Sequence, residues 1–180
     1  MTKIYKYKII FIVIALCQFG CASSSYTLVY HQKDFKPHNL DVITVLPVVD
    51  ARQQVFEKTN FEEETEEIQE LIIKKLKKKG YACKAIYDAN AMGNILPTQI
   101  PFLDASRISK IGPGDANWIL LPVVIALKPF MGATTKQSEI VFYLFEKPTG
   151  ELVWEGSGRL FKNDMLGATK KLLHDFPSKK

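Results

Sequence analysis

Apolar residues along this chain recur with two spacings, one near 3.6 and one near 2, and their order predicts a single α/β domain. Val42-Ile43-Thr44-Val45-Leu46 is a short β-branched run stopped by Pro47, the pattern of a buried strand. Ile68, Leu71, Ile72 and Leu76 then repeat at i, i+3, i+4 and i+8, which predicts an amphipathic helix. Thr59 or Asn60 opens it at capping-box distance from Glu62 or Glu63, and Gly80 stops it. Glu62, Glu63, Glu64, Glu66 and Glu67 crowd its first turns and Lys74, Lys75, Lys77, Lys78 and Lys79 its last, so the charges complement the helix dipole.

Residues 81–86 read as a second strand directly after the helix, and strand–helix–strand implies a parallel pair. Residues 88–102, with Gly93, Pro97 and Pro101, read as a long loop. Asp104 can cap a short helix running to Ile111, ended by Gly112-Pro113-Gly114. The stretch from Trp118 to Leu127 is the most apolar after residue 21 and reads as a strand. Its Pro122 cannot donate to a ladder, so that strand is expected to bulge there or to show that side at an edge. Residues 139–146 and 151–156 form a hairpin across Lys147-Pro148-Thr149-Gly150, a type I turn closed by a left-handed glycine. Residues 164–174 have helical spacing in Met165, Leu166, Leu172 and Leu173, and Phe176-Pro177 stops them. The sum is an α/β (α+β) fold: a three- to five-stranded mixed sheet with two or three helices packed on it, over residues 41–180.

The N-terminus follows a different logic. Lys3, Lys6 and Lys8 precede the apolar run Ile9 to Leu16, and Gly20-Cys21 follows, the order of an export signal over residues 1–20. Eight apolar residues are too few to span ~30 Å of hydrocarbon, which takes about 20. The competing reading is a β-branched core strand of a cytosolic protein, against which the charge order and the Ser-rich break at Ala22-Ser23-Ser24-Ser25 both argue. Residues 21–40 are polar and irregular and read as a tether, with regular structure expected only after Asn39.

Composition adds bounds. The chain has 180 residues, 47% of them apolar and 24% charged, enough for one self-sufficient core. Its formal charge of +5 falls to +2 once Lys3, Lys6 and Lys8 are set aside, which leaves no electrostatic footprint for nucleic acid. The lysine run after residue 73 has no interleaved aromatics and reads as a solvated face. Of the three cysteines, Cys17 lies in the signal, Cys21 at its end and Cys83 in a strand, so no disulfide is expected.

Reactive constellations are sparse. His31, His38 and His174 are scattered, Cys83 has no CxxC companion, and neither metal nor cofactor is expected. There is no GxSxG elbow, and Ser106, Ser109 and Ser157 occupy ordinary polar positions. Gly112-Pro113-Gly114-Asp115 lacks the spacing of a phosphate loop. His174 beside Asp175 reads as a surface residue at a helix end. Trp154 alternates with Leu152 and reads as a core anchor on a shared face. Asp50, at the C-terminal side of the first strand, is the one acid placed where α/β sites form, although a turn acid explains it as well.

Gly20-Cys21 resembles the end of a lipobox, with Gln18 standing where Leu is usual; a plain cleaved signal and an uncleaved anchor remain open. The resemblance implies acylation of Cys21, and Ala22 after it implies sorting to the outer membrane, facing the periplasm. Ile43-Thr44-Val45-Leu46-Pro47, Lys79-Gly80-Tyr81, Gly114-Asp115-Ala116-Asn117-Trp118-Ile119-Leu120 and Thr149-Gly150-Glu151-Leu152-Val153-Trp154-Glu155-Gly156 fall in a familiar order. They resemble uncharacterised bacterial lipoproteins that share an α/β domain with the curli-secretion lipoprotein, the peptidoglycan-synthase activator lipoproteins and the N-terminal domain of the Tol-system propeller protein. That resemblance implies a non-catalytic palmitate-bearing envelope protein working through an envelope protein partner, with no nucleic acid involved. It also leaves room for a homo-oligomeric ring subunit, while Asp50 keeps open an envelope hydrolase.

Overall fold

A computed structural model of the chain describes residues 26–52, 62–92, 99–100, 103–127, 137–159 and 164–179. Its strands are β1 (Tyr26–His31), β2 (Val42–Val45), β3 (Val49–Asp50), β4 (Ala82–Ala85), β5 (Trp118–Leu127), β6 (Gln137–Glu146) and β7 (Glu151–Arg159). Its helices are α1 (Glu62–Lys78), α2 (Ala105–Ile108) and α3 (Met165–Asp175). All strands belong to one mixed sheet ordered β1-β7-β6-β5-β2-β4, with β3 also on β5. The α/β class holds, but the sheet has seven strands where three to five were expected.

The two additional strands have separate causes. β1 lies in residues 21–40, which read as an irregular tether: it pairs antiparallel with β7, Tyr26 opposite Arg159 through His31 opposite Trp154. β3 is the resumption of β2 after a break. Leu46 donates its N–H to the Leu120 carbonyl at 3.0 Å, and in a parallel ladder the return bond to Leu46 would come from position 122. That residue is Pro122, which has no N–H, so pairing stops there. Pairing resumes at Val49 with Val123, four residues on from the Val45–Leu120 pair along one strand and three along the other. Pro122 therefore sits in an unbulged interior strand, continuously paired with β6, and the irregularity falls on its partner.

Two cores flank the sheet. On one face Ile68, Ile72 and Leu76 of α1 and Met165, Leu172 and Leu173 of α3 cover Ile43, Val45, Leu120, Val124, Phe142 and Trp154. On the other, Met92, Ile100, Ile108 and Ile111 cover Leu46, Ile119, Leu121, Val123, Val141 and Phe145. The stripe expected of α1 is present except that Leu71 is half-buried, and Gln69 is buried instead. Its amide donates to the carbonyls of Ile86 at 2.7 Å and Val45 at 3.4 Å, satisfying the chain ends that leave β4 and β2. The capping residues expected at Thr59 or Asn60 lie outside the described residues.

Gly80, at φ +93°, ends α1. Asp104 accepts from Arg107 N at 2.9 Å to start α2, which is shorter than the 104–111 expected, and Asp164 accepts from Gly167 N at 2.7 Å to start α3. β2 and β4 are parallel. Trp154 is 1% exposed and packs edge-on to Phe176 with centroids 4.7 Å apart. It does not share a face with Leu152, however. A bulge shifts the register so that Leu144 faces Trp154 and Phe145 faces Leu152, sending the two side chains to opposite cores.

Gly150, at φ +72°, closes the hairpin and rests against α2, where a side chain would run into the backbone of Ala105. Left-handed backbone and overlap act together, so Gly150→Ala should cost about 3 kcal/mol, read as a lower urea midpoint at unchanged slope. Tyr81, edge-on to Phe176 and donating to the Pro177 carbonyl at 3.0 Å, has its pKa pushed up to about 12 by burial. Tyr143 is likewise pushed up to about 12, by burial and then by Glu155 and Glu139. In the unfolded chain both ionise near 10, so the folded state keeps its protons longer and stability is lost as pH rises from about 10 to about 12. Absorbance at 295 nm should show these phenols silent until the fold melts, and Tyr81→Phe should flatten the fall.

Candidate interaction surface

Of the residues singled out in the sequence, Cys21 lies outside the described residues. Asp50 is 7% exposed and is engaged by its neighbours among the described residues. The extra residue between Leu46 and Val49 turns it onto the face of Val124, toward α1. There Arg52 takes both of its oxygens, Nε at 3.1 Å to each and Nη2 at 2.6 Å to Oδ2, while the Arg52 N–H donates to Oδ1 at 2.8 Å. Arg52 also pairs with Glu64 of α1 at 2.6 Å. Burial opposes the Arg52 charge, but hydrogen bonds and charge from Asp50 and Glu64 outweigh it, raising its pKa. A carboxylate so engaged joins β3 to α1 and has its lone pairs committed.

The remaining candidates are spread apart. His174 is exposed and its Nδ1 lies 3.3 Å from its neighbour Asp175. Cys83 is a free thiol whose pKa burial pushes up to about 11, far from the reactive range. No group of three or more His, Cys, Asp or Glu suited to a metal occurs among the described residues. No helix among them is long and apolar enough to cross a membrane.

Two concavities are lined by described residues. One, of about 270 Å³, opens at the amino ends of β2 and β5, between Asp41, Thr44, Lys84, Asp115 and Asn117. Its polar groups answer one another: Val42 N at 2.7 Å and Asn117 Nδ2 at 3.2 Å donate to Asp41, holding its carboxyl below the usual range, and Lys84 pairs with Asp115 at 3.5 Å. The other, of about 210 Å³, lies where β1 meets the end of α3, between Val29, His31, Phe35, Trp154, Asp175 and Pro177.

That second groove borders a run of three exposed apolar residues. Leu28, Val29 and Tyr30 are 64%, 41% and 56% exposed on β1, the terminal strand of the sheet. Gln32 donates to Val153 across the ladder at 3.1 Å, so by alternation Tyr30 and Leu28 bond to β7 and Thr27, Val29 and His31 turn their N–H and C=O outward. Thr27 Oγ1 donates to Asp175 at 3.1 Å, fixing this edge against α3. Sequence reading missed the edge, as it missed Arg52 and Gln69.

No protein-family model matches the chain, and no curated protein matches it. Solved structures of similar shape include the PelC dodecamer from Paraburkholderia phytofirmans, at 13% identity and a TM-score of 0.48, covering 84% of this chain and 91% of that one. A DUF4136 family protein from Bacteroides thetaiotaomicron matches at 9% identity and a TM-score of 0.49, covering 88% and 100%. Lipoprotein GNA1162 from Neisseria meningitidis matches at 14% identity and a TM-score of 0.41, covering 76% and 94%. At these identities and TM-scores the likenesses fix neither family nor role.

The buried ion pair gives a test of its structural part. Arg52 and Asp50 side chains are 3% and 7% exposed, so Arg52→Met, which leaves Asp50 without its partner, should cost about 3 kcal/mol. Glu64 is 31% exposed, and Glu64→Gln should cost under about 1 kcal/mol. Urea denaturation of both variants checks the ranking.

Proposed function

We propose that this chain is a lipid-anchored envelope protein, acylated at Cys21, held on the outer membrane facing the periplasm, and working through protein contacts without catalysis. The observation that carries this reading is the open edge of β1. Leu28, Val29 and Tyr30 are exposed beside a row of amides that meets no strand among the described residues, on a strand that begins five residues after the expected acylated cysteine. An uncovered apolar edge on a folded domain is the ordinary mark of a surface that meets another chain.

The anchor and the edge support each other. From Cys21 to Tyr26 an extended chain spans at most ~18 Å, so the lipid would hold β1 close to the bilayer surface. More than one acyl chain on Cys21 gives stable attachment, each buried methylene contributing ~0.8 kcal/mol. Catalysis has little to start from among the described residues, since Asp50 is bound to Arg52 and the Cys83 thiol stays protonated.

Intact-mass measurement of the protein from membranes tests the anchor. The expected product begins at Cys21 with added acyl mass, and Cys21→Ala should abolish both the added mass and membrane retention. A product that starts at Met1, or an unmodified Cys21 on a fully soluble protein, would sink the reading.

A further inference from the structure

We propose that the edge of β1 pairs antiparallel with the same strand of a second copy, about a two-fold axis through Val29, joining two sheets into one. The proposal rests on the reading above only in taking β1 as a contact surface.

The two ends of the sheet differ. β4, at one end, is four residues long and carries Lys84 paired to Asp115, the short and charged form that discourages strand addition. β1 is six residues, Tyr-Thr-Leu-Val-Tyr-His, rich in aromatic and β-branched types, with no proline, lysine or acid. Its sequence carries none of the usual protections.

The ladder then selects the register. Thr27, Val29 and His31 present their amides outward, and rotation about Val29 sets Thr27 opposite the second copy's His31, Val29 opposite its equivalent, and His31 opposite the second copy's Thr27. These become the hydrogen-bonded pairs of the new ladder. On one face Leu28 meets the second copy's Tyr30, and Tyr30 its Leu28, so two exposed apolar side chains of the strand, at 64% and 56%, cover each other twice. On the other face the second copy's His31 arrives beside Thr27, whose hydroxyl holds Asp175, so an imidazole faces a carboxylate at each end. A shift by one residue would turn the outward amides of one copy against positions already bonded to β7, and a shift by two would unpair Leu28 from Tyr30.

The geometry also suits two anchors. A six-residue antiparallel ribbon is about 20 Å long, with the two Tyr26 residues at opposite ends. Each short tether can reach one bilayer if the ribbon lies along it. A partner strand of another protein would gain the amides, but not the reciprocal coverage of Leu28 and Tyr30 or the paired His31–Asp175 approach. Self-pairing is therefore the occupant the residues favour.

Sedimentation of the mature protein in detergent across a dilution series should give a monomer–dimer equilibrium. Val29→Pro removes an outward N–H and leaves the Tyr30 and Leu28 bonds to β7 in place, so it should weaken association roughly tenfold or more. Because proline could also disturb β1, Leu28→Glu provides a second route, with far-UV circular dichroism unchanged. Val29→Cys should give a disulfide dimer on mild oxidation, Leu28→Cys much less, because only position 29 lies on the axis. A monomer at every concentration, a dimer indifferent to both Val29→Pro and Leu28→Glu, or equal crosslinking by the Val29→Cys and Leu28→Cys variants would overturn the proposal. The anchor is judged by the mass of the N-terminus and the strand by self-association, so either can fail alone.

Discussion

Pro122 lacks one amide proton, and the way the two halves of the chain meet depends on that lack. In β5 it costs nothing toward β6, where Pro122 faces Phe142 in an unbroken register. Toward β2 it deprives Leu46 of its return bond, so β2 ends and its continuation slips by one residue before β3 resumes. An extra residue inverts the alternation of side chains. Without it Asp50 would lie on the face of Leu46, in the second core. With it Asp50 lies over the first, where Arg52 and then Glu64 close a bridge from the sheet to α1. A missing donor at Pro122 thus places a buried ion pair in a distant part of the chain, which gives Asp50 a reason to be there that does not involve substrate.

Helix α1 and the hairpin were legible in the sequence because each is specified redundantly. In α1 the apolar stripe, the acidic start, the basic end and Gly80 all name the same element. In the hairpin Pro148 and Gly150 fix the turn between two apolar runs. β1 had no such agreement. Leu28, Val29 and Tyr30 are adjacent apolar residues, so they show no period of two, and polar residues such as Lys33, Asp34 and Lys36 follow them. That lack of alternation has a physical source: Leu28 and Tyr30 stand exposed on one face and Val29 is still 41% exposed on the face toward α3, so neither face is buried enough to demand a period of two. β3, at two residues, is too short for any pattern.

The candidate surface was less legible than the fold, for a related reason. Trp154 was recognisable as an anchor from its type, but its face depended on a bulge that leaves no trace in composition. Asp50 was noticed from its place after a strand. Its partner Arg52, two positions on, was the available signal, since opposite charges straddling a strand end can fold back on each other. The open edge could be found only once β7 was known to lie on one side of β1, with no strand among the described residues on the other.

The glycines of β7 explain why that edge has its present form. Gly156 and Gly158 lie opposite Val29 and Thr27, on the face covered by α3. A side chain at 156 would strike Trp154 and Leu172, so glycine is what lets α3 settle onto the sheet beside β1. With α3 that close, Asp175 at its end reaches the Thr27 hydroxyl, and Trp154 fills the space beneath Phe176. β1 is consequently held by its inner row of bonds and from one face alone. Its outer amides stay in line, at a fixed spacing, with Leu28 and Tyr30 standing free on the opposite face. An edge ordered on one side and bare on the other is already shaped like half of a ladder, and pairing would require little further ordering of the strand.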